Sequence, residues 1–236
     1  MSERFFVETP IEAEHAELVD SEAHHLAKVM RAKPGDVVTL FDGSGAEFES
    51  EITSVDRSTV VLKILSRIEI DRELPFELTL GVALPRGDRQ RWLIEKAVEL
   101  GVTRVVPLVT ERGVAQPRDK AVLRLKRTVI EASKQCRRNR LLEIDRPQEL
   151  ADYVSMMNED TVRIIAHPQG QQCSSTGGIQ KEVSLALAIG PEGGFTTREI
   201  ELAELAGWQT VDLGLRILRV ETAAITIVSW YVLATE

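Results

Sequence analysis

The chain has 236 residues, 43% of them apolar and 28% charged, with a formal net charge of −8. That composition is ordinary for a globular protein and excludes collagen-like and low-complexity polymers. No apolar run reaches the ~20 residues of a membrane-spanning helix, Met1-Ser2-Glu3-Arg4 carries no apolar signal core, and Cys136 and Cys173 match no metal spacing, so the expectation is a cytoplasmic protein with reduced thiols.

The charge is unevenly spread. Met1 to Arg72 holds 8 Lys/Arg against 15 Asp/Glu, whereas Arg112 to Arg146 holds 11 against 4. A polyanion suits the second stretch despite the acidic total, and a solvated helix face accounts for it equally. Along the first third, Ser21 to Ala32 reads as a short helix with Ser21 as N-cap, stopped by Lys33-Pro34-Gly35-Asp36. Strands follow at Val37–Phe41, Glu47–Val55 and Thr59–Ile68, with the turn cluster Asp42-Gly43-Ser44-Gly45 between the first two. Short strands with tight turns predict a small barrel.

Composition changes near Asp71 to Pro75, and from there strands and helices alternate. Strands are expected at Phe76–Ala83, Val102–Val109, Val162–Ala166, Val183–Ile189 and Thr210–Leu213. Helices are expected at Asp88–Leu100, where Leu93, Ala97 and Leu100 share a face and Gly101 stops the run, and at Asp119–Arg138, where Val122, Leu125, Val129, Ala132 and Cys136 form a stripe. Gln169 to Gly178 reads as a loop. A helix opens at a capping box of Thr196 and Glu199 and ends at Gly207, and the last helix covers Glu221–Ala234. This alternation predicts an α/β domain with a mostly parallel sheet and helices on both faces. The chain thus divides into residues 1–72 and residues 73–236.

Two segments stand out. Gly190-Pro191-Glu192-Gly193-Gly194-Phe195 joins a buried strand to a helix, and Leu213-Gly214-Leu215-Arg216-Ile217-Leu218-Arg219-Val220-Glu221-Thr222-Ala223 does the same. Glycine lets backbone N–H and C=O groups approach a ligand, and strand-to-helix turns are where α/β sheets bind ligands. The spacing is neither that of a dinucleotide fold nor that of a P-loop. His15, His24 and His25 show no metal-ligand spacing, so no metal site is read.

On these two segments the chain resembles the ribosomal RNA small-subunit methyltransferase E family. Arg4-Phe5-Phe6, His24-His25-Leu26 with Val29 and Arg31, Phe41-Asp42-Gly43, Glu95-Lys96-Ala97-Val98-Glu99-Leu100-Gly101-Val102, Glu111-Arg112, and Glu131-Ala132 with Gln135 and Arg138 extend the match over most of its length. The resemblance implies a PUA-like RNA-binding β-barrel followed by a SPOUT α/β domain whose C-terminus forms a deep trefoil knot. It also implies a homodimer that uses S-adenosylmethionine to methylate N3 of a uridine in 16S ribosomal RNA of the small subunit. Another RNA target such as a ribose 2′-hydroxyl, and a non-catalytic RNA-binding protein, are the alternatives.

For the cofactor, the resemblance points to His167, Pro168, Ile189, Gly190, Gly194, Leu213, Gly214, Ile217, Leu218 and Thr222. For the chemistry the candidates are Glu192, Arg112 and Arg219. Uridine N3 must lose its imide proton before it attacks, which calls for a carboxylate base or an arginine beside the uracil oxygens. Glu221 is a further candidate. The plainer roles are a helix cap for Glu192 and an ion pair with Arg219 for Glu221. RNA contact falls to Arg4, Arg31, Arg86, Lys96, Gln135 and Arg138. Two departures from the family pattern are Arg86, where Lys is expected, and Lys134-Gln135-Cys136-Arg137, where Glu-Gln-Ser-Gly is usual.

Overall fold

The computed structural model describes residues 4–113, 119–156, 160–172 and 183–235. They fall into two compact units. The first is Met1–Glu73 with Ser133–Leu141, and the second is Leu74–Ala132 with Leu142–Glu236. The first boundary lies beside the break expected from composition. The return of 133–141 to the first unit is not contained in a single break.

The first unit carries β1 (Arg4–Phe6), β2 (His15–Val19), α1 (Asp20–His24), a π-helical turn at His25–Val29, β3 (Val37–Phe41), β4 (Ala46–Val55) and β5 (Thr59–Glu69). Its five-stranded sheet has the order β1-β3-β4-β5-β2, with β1 parallel to β3 and the other pairs antiparallel. Phe5, Leu18, Leu26, Leu40, Phe48, Ile52 and Leu62 form its core. The helix expected at 21–32 differs from the observed one. It begins at Asp20, which stands at φ 49°, its N-cap is Val19 with no side-chain cap, and it widens into the π turn before Met30. Ser21 therefore does not cap it.

Polar contacts within this unit bind the returning segment. Asn139 donates from Nδ2 to the carbonyls of Gly45 (3.2 Å) and Ile70 (3.3 Å) and accepts from Arg4 through Oδ1 (2.7 Å). Arg4 and Arg72 both pair with Glu47, Arg138 pairs with Glu73, and Lys134 pairs with Glu22 at 2.9 Å.

The second unit is built on parallel pairing alone, among the described residues. Its seven-stranded sheet has the order β12-β10-β11-β6-β7-β8, with β9 also on β7. These strands are β6 (Leu78–Val82), β7 (Arg104–Val109), β8 (Glu143–Ile144), β9 (Gln148–Glu149), β10 (Val162–Gln172), β11 (Leu185–Ile189) and β12 (Gln209–Asp212). The helices are α2 (Asp88–Glu99), α3 (Asp119–Cys136), whose residues from Ser133 on belong to the first unit, α4 (Leu150–Ser155), α5 (Thr197–Leu205) and α6 (Val220–Thr235). Helices α4 and α5 pack on Val106, Leu108, Ile165, Ala186 and Ala188. Helices α2 and α6 pack on each other, and α6 also lies on β6 and β11. Of the α3 stripe, Leu125, Val129 and Ala132 are buried, whereas Val122 and Cys136 are half-buried.

Strand β10 corrects one expectation. It continues past Ala166 to Gln172, where a loop was read; residues 173–178 of that loop lie outside the described residues. Its pairing with β12 slips between Ala166 and Gln171, both of which face Val211. The extra residues, 167–170, form a bulge. Gly170 permits it, because a Cβ there would stand 2.6 Å from backbone atoms of Thr210 and Val211.

Candidate active site

A chain order that runs from β10 to β11 on one side and then to β12 on the other reverses direction at β10. A reversal of this kind opens a crevice at the carboxyl ends of the strands. There the second unit holds a cavity of about 470 Å³, within the range of small-molecule sites. Three loops wall it: the β10 bulge with Ala166, His167 and Pro168; the turn after β11, from Ile189 to Phe195; and the turn after β12, from Asp212 to Leu218. Val220 and Ala223 of α6 complete the wall.

The first glycine turn is shaped by three constraints. The amide of Gly194 donates to the carbonyl of Pro191 at 2.8 Å, closing a four-residue turn, and Gly194 stands at φ +68°. A Cβ at Gly190 would lie 3.1 Å from the buried ring of Phe195 and 3.2 Å from its amide, so glycine lets that ring close under the turn. Next comes the expected capping box. Thr196 accepts from the Glu199 amide (3.3 Å), and Glu199 Oε2 accepts from the Thr196 amide (2.7 Å). Glu199 does more than its motif announces. Its Oε1 accepts from the amide of Glu111 at 2.9 Å, and the guanidinium of the next residue, Arg112, donates to the Gly193 carbonyl at 2.8 Å. The turn after β7 is thus fastened to the glycine turn by a buried carboxylate and a guanidinium.

The second turn begins where the Gly214 amide donates to Asp212 Oδ1 at 2.9 Å, with Gly214 at φ +113°. Leu215 and Ile217 behind it are 100% and 96% exposed, so they are rim groups rather than core. His167 is half-buried, and its Nδ1 is buried with no hydrogen-bond partner among the described residues. An unpaired buried nitrogen is costly in the absence of a ligand. With Ile189 and Leu218 as apolar wall and two glycine turns as uncovered backbone, the surroundings suit a purine nucleoside carrying polar edges.

Of the residues singled out by sequence, His167, Pro168, Ile189, Gly190, Gly194, Leu213, Gly214, Ile217, Leu218 and Glu192 line this cavity. Thr222 is exposed in the first turn of α6 and does not line it. Nor does Arg112, which reaches the site through Gly193, or Arg219, whose side chain is exposed. Glu192 does not cap α5; it pairs with Arg89 at 3.3 Å. Glu221 is buried and lies 3.7 Å from the same Arg89, not in a pair with Arg219. Arg89 was missed because nothing in its neighbourhood of the chain announces partners so distant in sequence.

A family model described as an RNA methyltransferase domain matches residues 72–232, and one described as an RNA methyltransferase PUA domain matches residues 18–65. Ribosomal RNA small subunit methyltransferase E of Synechocystis sp. is 32% identical over 210 residues, which span 87% of this chain and 69% of the relative. The chain belongs to the ribosomal RNA small subunit methyltransferase E family. A methyltransferase of Legionella pneumophila, solved in complex with bound cofactor SAM, matches with a TM-score of 0.91 at 32% identity, covering 99% of this chain and 98% of that one. The family enzyme of Neisseria gonorrhoeae, solved bound to S-adenosyl methionine, matches with a TM-score of 0.88 at 29% identity, covering 97% and 96%.

Against this family background the six residues expected to meet RNA divide in three. Arg31, Arg86 and Gln135 are exposed. The side chains of Arg4 and Arg138 are enclosed within the first unit, that of Arg4 over the Phe41 ring at 4.9 Å and paired with Glu47, and that of Arg138 paired with Glu73. A guanidinium so enclosed is a structural ion-pair partner rather than a phosphate contact. Lys96 is bound to Glu99 at 2.7 Å and Glu95 at 3.1 Å, and these hydrogen bonds, that to Glu99 first, raise its pKa.

Proposed function

We propose that this chain is a methyltransferase that uses S-adenosylmethionine to methylate N3 of a uridine in 16S ribosomal RNA of the small subunit. The observation that carries the reading is the cavity walled by two glycine turns and the β10 bulge, at the reversal of strand order. Family membership and the SAM held by the Legionella and Neisseria relatives support it.

The holding residues follow from the lining. Ile189 and Leu218 would sandwich the adenine, and the backbone of the turns at Gly190 and Gly214 would meet its edges and the ribose hydroxyls. His167 Nδ1 would find in the bound molecule the partner it lacks. Such a donor supplies a methyl group already activated on a sulfonium. The rest falls to the protein. The imide proton on uridine N3 must pass to a base before the nitrogen lone pair forms its bond to carbon. Glu192, as a carboxylate in the lining, is the candidate to accept it. Arg112, fixed on the Gly193 carbonyl, is the candidate to face the negative charge that develops on the uracil oxygens, and Arg219 is the second. Orientation alone supplies much of such a rate, roughly 7–11 kcal/mol in favourable cases.

The finer architecture belongs to the same proposal. Residues 1–72 act as a PUA-like RNA-binding barrel, and residues 73–236 as a SPOUT domain with a C-terminal trefoil knot. The protein works as a cytoplasmic homodimer, with Arg31, Arg86 and Gln135 as the exposed residues offered to RNA. The test is transfer of labelled methyl from S-adenosylmethionine to small subunits that lack the modification, followed by nuclease digestion and mass spectrometry. A uridine methylated on its base is expected. A methylated ribose would reassign the target atom, and RNA binding without donor affinity would leave a binding protein.

A further inference from the structure

Arg89 is the second residue of α2. One end of its guanidinium, Nη2, lies 3.3 Å from Glu192 Oε1 in the first glycine turn, and the other, Nη1, lies 3.7 Å from Glu221 Oε2 in the first turn of α6. The two carboxylates differ in kind. The Glu192 side chain is 55% exposed, where an ion pair adds little to folding stability. Glu221 is buried, and its Oε2 has no hydrogen-bond partner among the described residues. A buried carboxylate is costly without a partner, and Arg89 Nη1 lies within 4 Å of it. A planar fork with two separated donor ends spans two acceptors, which a single ammonium does not.

We propose that Arg89 is a positioning residue for the methyl-donor site. Anchored on buried Glu221, it holds the exposed side chain of Glu192 and with it the turn at Gly190–Phe195. The distance between the first glycine turn and the start of α6, which follows the second turn, and so the width of the slot, is then set by one guanidinium. Arg89 is not among the lining residues and acts through the carboxylates. This inference rests on the proposed function, since a slot of fixed width matters only to a molecule seated in it.

The test uses the full chain and four proteins: wild type, Arg89→Lys, Arg89→Ala, and Arg89→Ala combined with Glu221→Gln. The last removes the stranded buried charge, so it separates loss of the bridge from loss of folding. Calorimetry gives the Kd for S-adenosylmethionine, and steady-state assays give separate KM values for donor and RNA. Both Arg89→Ala proteins are expected to bind the donor roughly tenfold or more weakly, with the RNA KM unchanged and with Arg89→Lys recovering part of the loss. A donor Kd near the wild-type value in the double variant overturns the proposal, as does an equal rise in both KM values. Wild-type protein without donor affinity would instead sink the functional reading, before any variant is compared.

Discussion

Gly190 and Gly194 sit four residues apart in one turn and are glycine for different reasons. At Gly190 a side chain would strike the Phe195 ring; at Gly194 a Cβ would meet nothing within 4 Å, and the demand is the backbone at φ +68°. A left-handed conformation costs an ordinary L-residue ~1–2 kcal/mol and a β-branched one more, while asparagine tolerates it. Gly194→Val is therefore expected to lower donor affinity by roughly tenfold or more, through displacement of the turn and not through occlusion, whereas Gly194→Asn keeps most of it. Calorimetry on the pair decides the matter, since occlusion would weaken both variants alike. These glycines were legible in the sequence because a local motif encodes a local turn. Arg89, Glu192 and Glu221 were not legible as a group, because only the tertiary fold brings the start of α2 to the two turns.

At the scale of elements, regular alternation was legible and irregularity was not. Strands β3, β4 and β5 and helices α2, α3, α5 and α6 lie close to their expected ranges, since each carries a full period of apolar residues. Strand β1 is three residues and β8 and β9 are two residues each, too short to show a period. The bulge in β10 depends on a close approach to β12 that its own residues do not announce. The basic run was the most misleading element. Charge density made Arg138 a candidate for RNA, yet its side chain is buried against Glu73, beside Asn139, which ties the carbonyls of Gly45 and Ile70 together. Arg138→Glu would place two carboxylates in that enclosed position. The expected result is a loss of stability in the first unit of about 3–5 kcal/mol, the range for breaking a buried pair. Urea unfolding measures it, and a variant as stable as wild type that binds RNA less tightly would restore the phosphate-contact role. The cap of α5 gives a smaller effect. Thr196→Ala removes a side chain that accepts from the Glu199 amide, and is expected to cost about 1 kcal/mol in the same assay.

At the scale of the whole molecule, acid is expected to act on the first unit through two carboxyls. Asp42 and Glu47, whose carboxyls are held below their ordinary values, both belong to the first unit. Burial opposes ionisation of Asp42, but hydrogen bonds from the amides of Ile11 (2.8 Å) and Ser44 (3.0 Å) outweigh it and hold the group below its ordinary 3.8. Burial likewise opposes ionisation of Glu47, and the guanidinium groups of Arg72 and Arg4 hold it below 4.5. Both groups bind protons more weakly folded than unfolded, so their contribution is complete above about pH 5 and disappears as the pH falls through their lowered values. The first unit should therefore yield to acid before the second. The aromatic residues make the order observable: Trp92, Trp208 and Trp230 all lie in the second unit. Tryptophan emission reports that unit alone, while far-ultraviolet circular dichroism reports both. On acid titration the dichroism signal should begin to fall at a higher pH than the emission shifts. Glu47→Gln, which removes one titrating group and its ion pairs, should weaken the first unit at neutral pH and make its remaining dependence on acid shallower. Coincident transitions by the two probes in wild-type protein would show that the units unfold together and that these two carboxyls do not govern the acid limb.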